Sequence, residues 1–96
     1  MITPLTLTPG HRPDGTAFLK ATGEIDMSNT DALASALENL PGRVVIDLTG
    51  IDYLDSAGLS VLFAHADRIE LITAPLLTPV LTFSGLADLT TVQEET

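Results

Sequence analysis

The stretch that decides the fold reads Val44-Val-Ile-Asp-Leu-Thr-Gly-Ile-Asp-Tyr-Leu-Asp-Ser-Ala-Gly-Leu59. Residues 44–48 are too continuously apolar for a strand with one solvated face, so they predict a central strand that is covered on both faces. From about residue 56 to residue 67 the apolar side chains recur at helical spacing, which predicts a helix soon after that strand. A buried strand that leads into a helix is typical of α/β folds.

The rest of the chain continues this alternation. A turn at residues 12–16, whose Gly15 can adopt positive φ, predicts a hairpin near the start, and Pro41-Gly42 ends the helix before the central strand. The order ββαβαβαβ predicts a single α/β domain over residues 1–96, with a mixed sheet of about five strands and helices packed on it. The remaining predicted elements are strands at residues 5–8, 17–25, 69–72 and 89–92, a helix capped by Ser28 or Asn29, and a helix at residues 78–84 with Pro79 in its first turn.

Composition limits the classes of function. The 96 residues include 45% hydrophobic ones, which suits one domain with one core. Thirteen acidic against four basic residues give a formal charge of −9, which would repel a phosphate backbone, so nucleic-acid binding is set aside. The chain has no cysteine, and its sequence offers neither a secretory leader nor an apolar run fit to span a membrane. We therefore expect a cytoplasmic protein that does not insert into a membrane.

The predicted second helix has two different faces. One face should contact the sheet and carries Leu59, Leu62, Phe63 and Ala66. The opposite face is small and uncharged in its first two turns, and it carries Ala57, Ser60, Val61, Ala64, His65 and Arg68. Because such residues suit the close approach of another surface, this face is interpreted as a contact site for a partner protein. An ordinary helix with some surface alanine remains the alternative.

Ser56, at the head of that helix, has three candidate roles. Capping is the simplest one, although Asp55 could cap the helix instead. A catalytic nucleophile would need a base within about 3 Å, yet His65 lies nine residues further on, roughly 13 Å along the helix, and His11 lies in the hairpin loop. The sequence therefore predicts that the protein is not an enzyme. The third role is that of a hydroxyl offered to another protein for modification.

Three carboxylates, those of Asp26, Asp52 and Asp55, are expected near this region. Neither a metal-ligand spacing nor a phosphate-binding glycine loop accompanies them, so turns and caps explain them better than a metal site. No metal and no cofactor are predicted.

Three segments in order carry a resemblance to a known family. Gly23-Glu-Ile-Asp26, then residues 44–59, then Phe83-Ser-Gly-Leu86 resemble the STAS family, and specifically the bacterial anti-sigma factor antagonists, over residues 17–92. The resemblance implies that a partner, both a GHKL-type serine kinase and an anti-sigma factor, binds the unmodified protein and releases a sigma factor. Phosphorylation of the serine would break the complex. The residues implied are Ser56 as phosphoacceptor, Asp26 and Asp55 near the kinase contact, and Ala57, Gly58, Ser60 and Val61 as docking surface.

Two other functions stay open on the sequence. A STAS-like accessory subunit of a membrane transport complex would bind its partner without kinase control, and a sensing module would bind a small ligand. The chain departs from the family pattern in a short, glycine-free link at residues 64–72 and in a third helix without basic residues. Either that helix joins another chain or its packing is more apolar, and the second explanation is favoured. The oligomeric state stays open.

Overall fold

A computed structural model of the chain describes residues 4–95. Within them five strands alternate with three α-helices and one short 3-10 helix. In chain order the elements are β1 (Thr6–His11), β2 (Ala17–Ile25), α1 (Thr30–Glu38), β3 (Val44–Leu54), α2 (Ser56–Ala64), β4 (Ile69–Thr73), α3 (Thr78–Phe83), the 3-10 helix (Leu86–Asp88) and β5 (Thr91–Glu94).

The strands form one sheet in the order β1-β2-β3-β4-β5. The hairpin strand β1 runs antiparallel to β2, and every other neighbouring pair is parallel. Each parallel pair is joined by a crossover through a helix, as parallel neighbours require. The predicted mixed sheet of five strands with helices packed on it is confirmed, and β3 lies at its centre as predicted.

One face of the sheet carries the hydrophobic core. In register across the centre, Leu19 of β2 lies beside Ile46 of β3, which lies beside Leu71 of β4, and all three are fully buried. They belong to one cluster with side chains of every helix, including Leu33, Leu37, Leu62 and Leu81. Because the strands add to the sheet in one direction, right-handed crossovers bring all three helices to this same face.

The second face of the sheet is covered differently. Residues 44–46 of β3 are buried on both faces as predicted, but within residues 4–95 the buried side chains of the second face lie outside the cluster that includes the helices. Val45 and Ile72 point to that second face and lie outside the main cluster. Val45 is nevertheless only 1% exposed, flanked in register by Phe18 and Glu70 on the neighbouring strands. The apolar run therefore reflects a central position between strands and not a second helical layer.

The segments around β2 follow their local sequence signals. The predicted turn forms between β1 and β2, where the backbone N–H of Arg12 donates to the Thr16 carbonyl oxygen at 2.9 Å and Gly15 adopts a φ of 89°. The bounds of β2 are those predicted, whereas β1 begins one residue later than predicted and runs on to His11. In α1, Leu33 and Leu37 are buried and Ala32 is exposed.

The second helix is shorter than predicted, since it ends at Ala64 and not near residue 67. The backbone N–H of Val44 donates to the Arg68 carbonyl oxygen at 2.9 Å, so the chain must return to the sheet before β4 begins. Ala66 is buried in this link. Arg68 consequently does not lie on the outer face of α2, and its place on that face in the sequence analysis is a wrong prediction.

Arg68 instead closes the carboxyl end of α1. Its Nε donates to the Gly42 carbonyl oxygen at 2.9 Å and its Nη1 donates to the Leu37 carbonyl oxygen at 3.0 Å, while Nη2 bonds the Leu40 carbonyl oxygen. The last carbonyl groups of a helix have no partner within the helix and carry partial negative charge. One guanidinium group therefore joins the end of α1 to the link between α2 and β4.

The third helix begins at Thr78 with Pro79 in its first turn, as predicted. Leu77 and Leu81 are buried, but Leu76 is 65% exposed and Phe83 is 89% exposed. Apolar packing within the domain, the favoured explanation for the missing charges, thus accounts for only one side of this helix. The closing strand was predicted two residues too early, because the 3-10 helix occupies the chain before it.

We expect the variant Arg68→Gln to lower the free energy of unfolding by about 2 kcal/mol, because it leaves partly buried helix-end carbonyls without their charged donor. Urea denaturation followed by circular dichroism measures the change. The exposed Arg43 is the matched control, and Arg43→Gln should stay within about 0.5 kcal/mol of the parent protein. Equal midpoints for the two variants would contradict this role of Arg68.

Candidate functional site

The candidate site lies at the carboxyl ends of β2 and β3. These strands are parallel and adjacent, so the residues that follow them meet at one edge of the sheet. Asp26 follows β2, Asp55 follows β3, and Ser56 is the first residue of α2. The structure thus brings together the two carboxylates and the serine that the sequence singled out.

Asp55 is the N-cap of α2. Its backbone is extended, with φ −93° and ψ −179°, and its Oδ1 accepts a hydrogen bond from the Gly58 backbone N–H at 2.9 Å. Capping was considered the simplest role for Ser56, and the structure gives it to Asp55 instead. The exposed Ser56 contributes its carbonyl oxygen, which accepts a hydrogen bond from the Ser60 hydroxyl at 3.0 Å. Its own hydroxyl takes no part in the cap.

Asp55 also joins α2 to the turn after β2. Its second oxygen, Oδ2, accepts a hydrogen bond from the Met27 backbone N–H at 3.1 Å, and its own N–H donates to the Ile25 carbonyl oxygen at 3.2 Å. One carboxylate therefore fixes the head of α2 against the segment that leads into α1.

The turn after β2, residues Asp26 to Asn29, is held by its own side chains. Asn29 Oδ1 accepts from the Asp26 backbone N–H at 3.0 Å, and Asn29 Nδ2 donates to the Glu24 carbonyl oxygen at 2.8 Å. Asp26 Oδ1 accepts from the hydroxyl of Ser28 and from its backbone N–H. The Ser28 hydroxyl, followed by its backbone N–H, lowers the pKa of Asp26 below its ordinary value, because both bonds favour the charged carboxylate.

The outer face of α2 differs in one respect from the predicted docking surface. Ser56, Ser60 and Ala64 are exposed at helical spacing, and the predicted contact residues Ala57 and Val61 are partly exposed beside them. The fourth residue of the predicted docking surface, Gly58, is not exposed.

Gly58 is buried, so its assignment to the docking surface is wrong. A Cβ atom at this position would lie 2.6 Å from both Ile25 Cγ2 and Leu54 Cδ1. Gly58 therefore lets α2 pack closely on the ends of β2 and β3. On the side of α2 that was predicted to contact the sheet, Leu62 is fully buried, but Leu59 and Phe63 are only partly buried. The buried side of the helix is therefore centred closer to Gly58 than predicted.

His65 and Asp52, which the sequence also singled out, take no part in the hydrogen bonds described above. His65 is the C-cap of α2, at the opposite end of the helix from Ser56, and Asp52 is exposed on β3. Among residues 4–95 no group of three or more metal-binding side chains is found. In the same range no helix has both the length and the apolar character needed to cross a membrane.

A cavity of about 340 Å³ opens near the amino ends of the parallel strands, where Arg43 precedes β3, Ile69 begins β4 and Thr91 begins β5. Because Ser56 follows the carboxyl end of β3, this cavity lies at the opposite end of the sheet from the candidate site.

Met27 is the residue at this site that the sequence analysis missed. Its side chain is 79% exposed beside Asp26 and Ser28. The one sequence sign was a large apolar residue between turn-forming polar ones, and that pattern alone does not show which way the side chain points.

Comparison with known proteins supports this description. The family model described as "Mlab, STAS domain" matches residues 11–93. The chain belongs to the STAS domain family. The sheet and helices match the SpoIIAA-like STAS fold, since the structure of the anti-sigma factor antagonist SpoIIAA in its unphosphorylated form superposes with a TM-score of 0.74 at 14% identity, over 95% of this chain and 89% of that one.

Two further relatives are also named as anti-sigma factor antagonists. The crystal structure of an anti-sigma factor antagonist from Mycobacterium paratuberculosis matches with a TM-score of 0.83 at 25% identity, over 94% of this STAS chain and 86% of that one. The anti-sigma-F factor antagonist RsfB of Mycobacterium tuberculosis is 37% identical over 60 residues, which are 58% of this chain and 49% of RsfB. The match thus spans about half the length of this curated relative.

We expect Gly58→Ala to destabilise the domain. Overpacking against Ile25 and Leu54 opposes folding by about 1–3 kcal/mol, and the better helix propensity of alanine offsets up to about 1 kcal/mol. A net loss of about 1–2 kcal/mol lowers the melting temperature by roughly 4–16 °C in calorimetry. Ser60→Ala, at an exposed position of the same helix, is the control and should change little. A Gly58→Ala variant that melts at or above the parent temperature would show that α2 does not pack as described.

The pKa of Asp26 provides a second test. Its folded value lies below the unfolded one, so the bonds from Ser28 stabilise the fold above the unfolded pKa, and this contribution disappears as pH falls through the folded pKa. Carboxyl carbon NMR titration should show the pKa of Asp26 below its ordinary value, and Ser28→Ala should raise it. Ser35→Ala, on the exposed side of α1, is the control. An ordinary pKa in the parent protein would rule out the described turn.

Proposed function

We propose that this protein is an anti-sigma factor antagonist controlled by phosphorylation of Ser56. In its unmodified form it binds an anti-sigma factor that is also a GHKL-type serine kinase, and the sigma factor is released. The role is regulatory and not enzymatic, takes place in the cytoplasm and needs no cofactor. Family membership and the relatives named as anti-sigma factor antagonists support this proposal.

The observation that carries the proposal is the position of the Ser56 hydroxyl. Ser56 is exposed at the first residue of α2, and the capping bond comes from Asp55 and not from Ser56. A kinase therefore gains access to the hydroxyl without displacing the cap. Modification of Ser56 changes the surface of the domain and leaves the start of the helix intact.

The domain itself tolerates a phosphoryl group at this position. The first turn of a helix has N–H groups without partners inside the helix and carries about half a positive charge. This favours an anion by about 0.3–2 kcal/mol, which opposes the repulsion from the neighbouring Asp55 carboxylate. We expect the phosphorylated protein to remain folded.

The complex with the partner responds differently. Phosphorylation adds about −1.5 to −2 charges to a contact surface that carries small uncharged residues. Closing an interface over a dianion removes its water, and without a matching cation this opposes binding by several kcal/mol. The same modification that the fold accepts therefore releases the partner.

The surrounding residues divide into two groups in this proposal. Ala57, Ser60 and Val61 contact the partner, because they surround Ser56 on the outer side of α2. Asp26 contributes a carboxylate at the edge of the contact. Asp55 acts mainly by positioning, since both of its oxygens already accept backbone N–H groups of this chain.

Substitution of Ser56 tests the proposal. Ser56→Ala should bind the purified anti-sigma factor from the same organism with the affinity of the parent protein. It should resist phosphorylation by that factor. Ser56→Asp should bind at least about tenfold more weakly, a loss of about 1.4 kcal/mol, because it places a charge in the contact. Isothermal titration calorimetry measures affinity, and transfer of labelled phosphate from ATP measures phosphorylation.

Ser60→Ala is the matched control, because Ser60 is a second exposed hydroxyl one turn further along α2. It should still accept one phosphoryl group, because its Ser56 hydroxyl is unchanged, and any loss of affinity measures the Ser60 contact. Equal affinities of Ser56→Ala and Ser56→Asp for the anti-sigma factor would contradict the proposed switch.

A further inference from the structure

Met27 is a large apolar side chain that the fold leaves almost fully in solvent. It is 79% exposed, next to Asp26 and near the head of α2. Scattered apolar residues on a protein surface are common, so exposure alone says little. What distinguishes Met27 is the way in which the backbone around it is held.

Met27 and Ser28 are the two central residues of a tight turn. The Asn29 backbone N–H donates to the Asp26 carbonyl oxygen at 3.1 Å and closes the turn. The side chains of Asp26 and Asn29 add bonds to backbone groups within and before it, including the Glu24 carbonyl oxygen. The backbone at the tip of this turn is therefore well held, while the apolar side chain that it carries is 79% exposed.

The same turn is fixed relative to Ser56. The Met27 backbone N–H donates to Asp55 Oδ2 at 3.1 Å, and the first turn of α2 donates to Oδ1 of the same carboxylate through Gly58 at 2.9 Å. Through one side chain, the backbone of Met27 and the helix that begins with Ser56 keep a set relative position. Met27 is thus held near the start of α2, where Ser56 is exposed.

Such an arrangement favours binding. Methionine is enriched at protein interfaces, where its flexible thioether adapts to the surface that receives it. A few anchor side chains carry most of the affinity of an interface, and a backbone that is already ordered loses little entropy on binding. The rigid turn supplies the order and the thioether supplies the apolar contact.

We propose that Met27 is the apolar anchor by which the anti-sigma factor kinase recognises this protein. The proposal rests on the proposed function and adds a specificity-determining residue outside α2. The partner that fits is a protein surface with an apolar pocket for Met27, placed beside its phosphoryl-transfer site. Because the chain carries a formal charge of −9 and Asp26 flanks Met27, basic residues should line the rim of that pocket.

Truncation of Met27 tests the anchor. Met27→Ala should weaken binding to the purified anti-sigma factor of the same organism at least tenfold and reduce kcat/KM for phosphorylation of Ser56 by a similar factor. Met27→Leu should stay within about threefold of the parent. The melting temperatures of both variants should equal that of the parent, because the side chain packs against little of its own chain.

Leu89→Ala is the matched control. Leu89 is a large apolar side chain with 59% exposure, and it lines the cavity at the opposite end of the sheet from Ser56. Its removal should leave affinity and phosphorylation unchanged. A loss of affinity equal to that of Met27→Ala would mean that apolar surface in general, and not this anchor, drives binding, and the proposal would fail.

Two further outcomes separate this proposal from the one on which it rests. If Met27→Ala binds like the parent while Ser56→Asp binds weakly, the anchor is wrong and the phosphorylation switch stands. If the parent protein neither binds the anti-sigma factor nor is phosphorylated by it, the proposed function is wrong and the anchor falls with it. Weak binding of Met27→Ala, together with unchanged binding of Leu89→Ala, supports the anchor.

Discussion

The carboxylate of Asp55 is the interaction on which the rest of the site depends. It follows β3 directly and bonds both the first turn of α2 and the turn that follows β2, so it joins two parallel strands at the points where their helical connections begin. Because Asp55 supplies the cap, the Ser56 hydroxyl next to it is left at the surface. A cap from Ser56 would have used the very group that the proposed function needs. The separation of a structural carboxylate from a surface hydroxyl, one residue apart, is therefore the central feature of this domain.

Much of the fold could be predicted because local signals and tertiary packing agree. The turn before β2 contains a glycine that adopts positive φ, and the apolar run at the start of β3 marks the central strand. The predictions were wrong where contacts between residues that are distant in the sequence determine the structure. Nothing within α2 requires it to end at Ala64, since the pairing of β4 with β3 sets that end. Likewise, β3 is apolar on both sides because its neighbours cover Val45, and the sequence of the strand does not distinguish a neighbouring strand from a helix.

The site was predictable to the extent that adjacency in a parallel sheet brings Asp26, Asp55 and Ser56 together. The detailed arrangement of the site could not be predicted from the sequence. Helical projection does not fix where the buried side is centred, so Gly58 was placed outside although its missing side chain allows contact with Ile25 and Leu54. Met27 was missed for a different reason. Its exposure follows from hydrogen bonds between side chains and backbone in one turn, and such bonds can be recognised only when the positions of all partners are known.

The most direct test of the phosphorylation switch is site mapping after reaction with the partner. The full chain is incubated with the purified anti-sigma factor of the same organism and ATP, then analysed by intact mass and by peptide fragmentation. We expect a single phosphoryl group, on Ser56, that appears only when the anti-sigma factor is present. A phosphoryl group on another residue, or an unmodified chain after prolonged reaction with an active kinase, would contradict it.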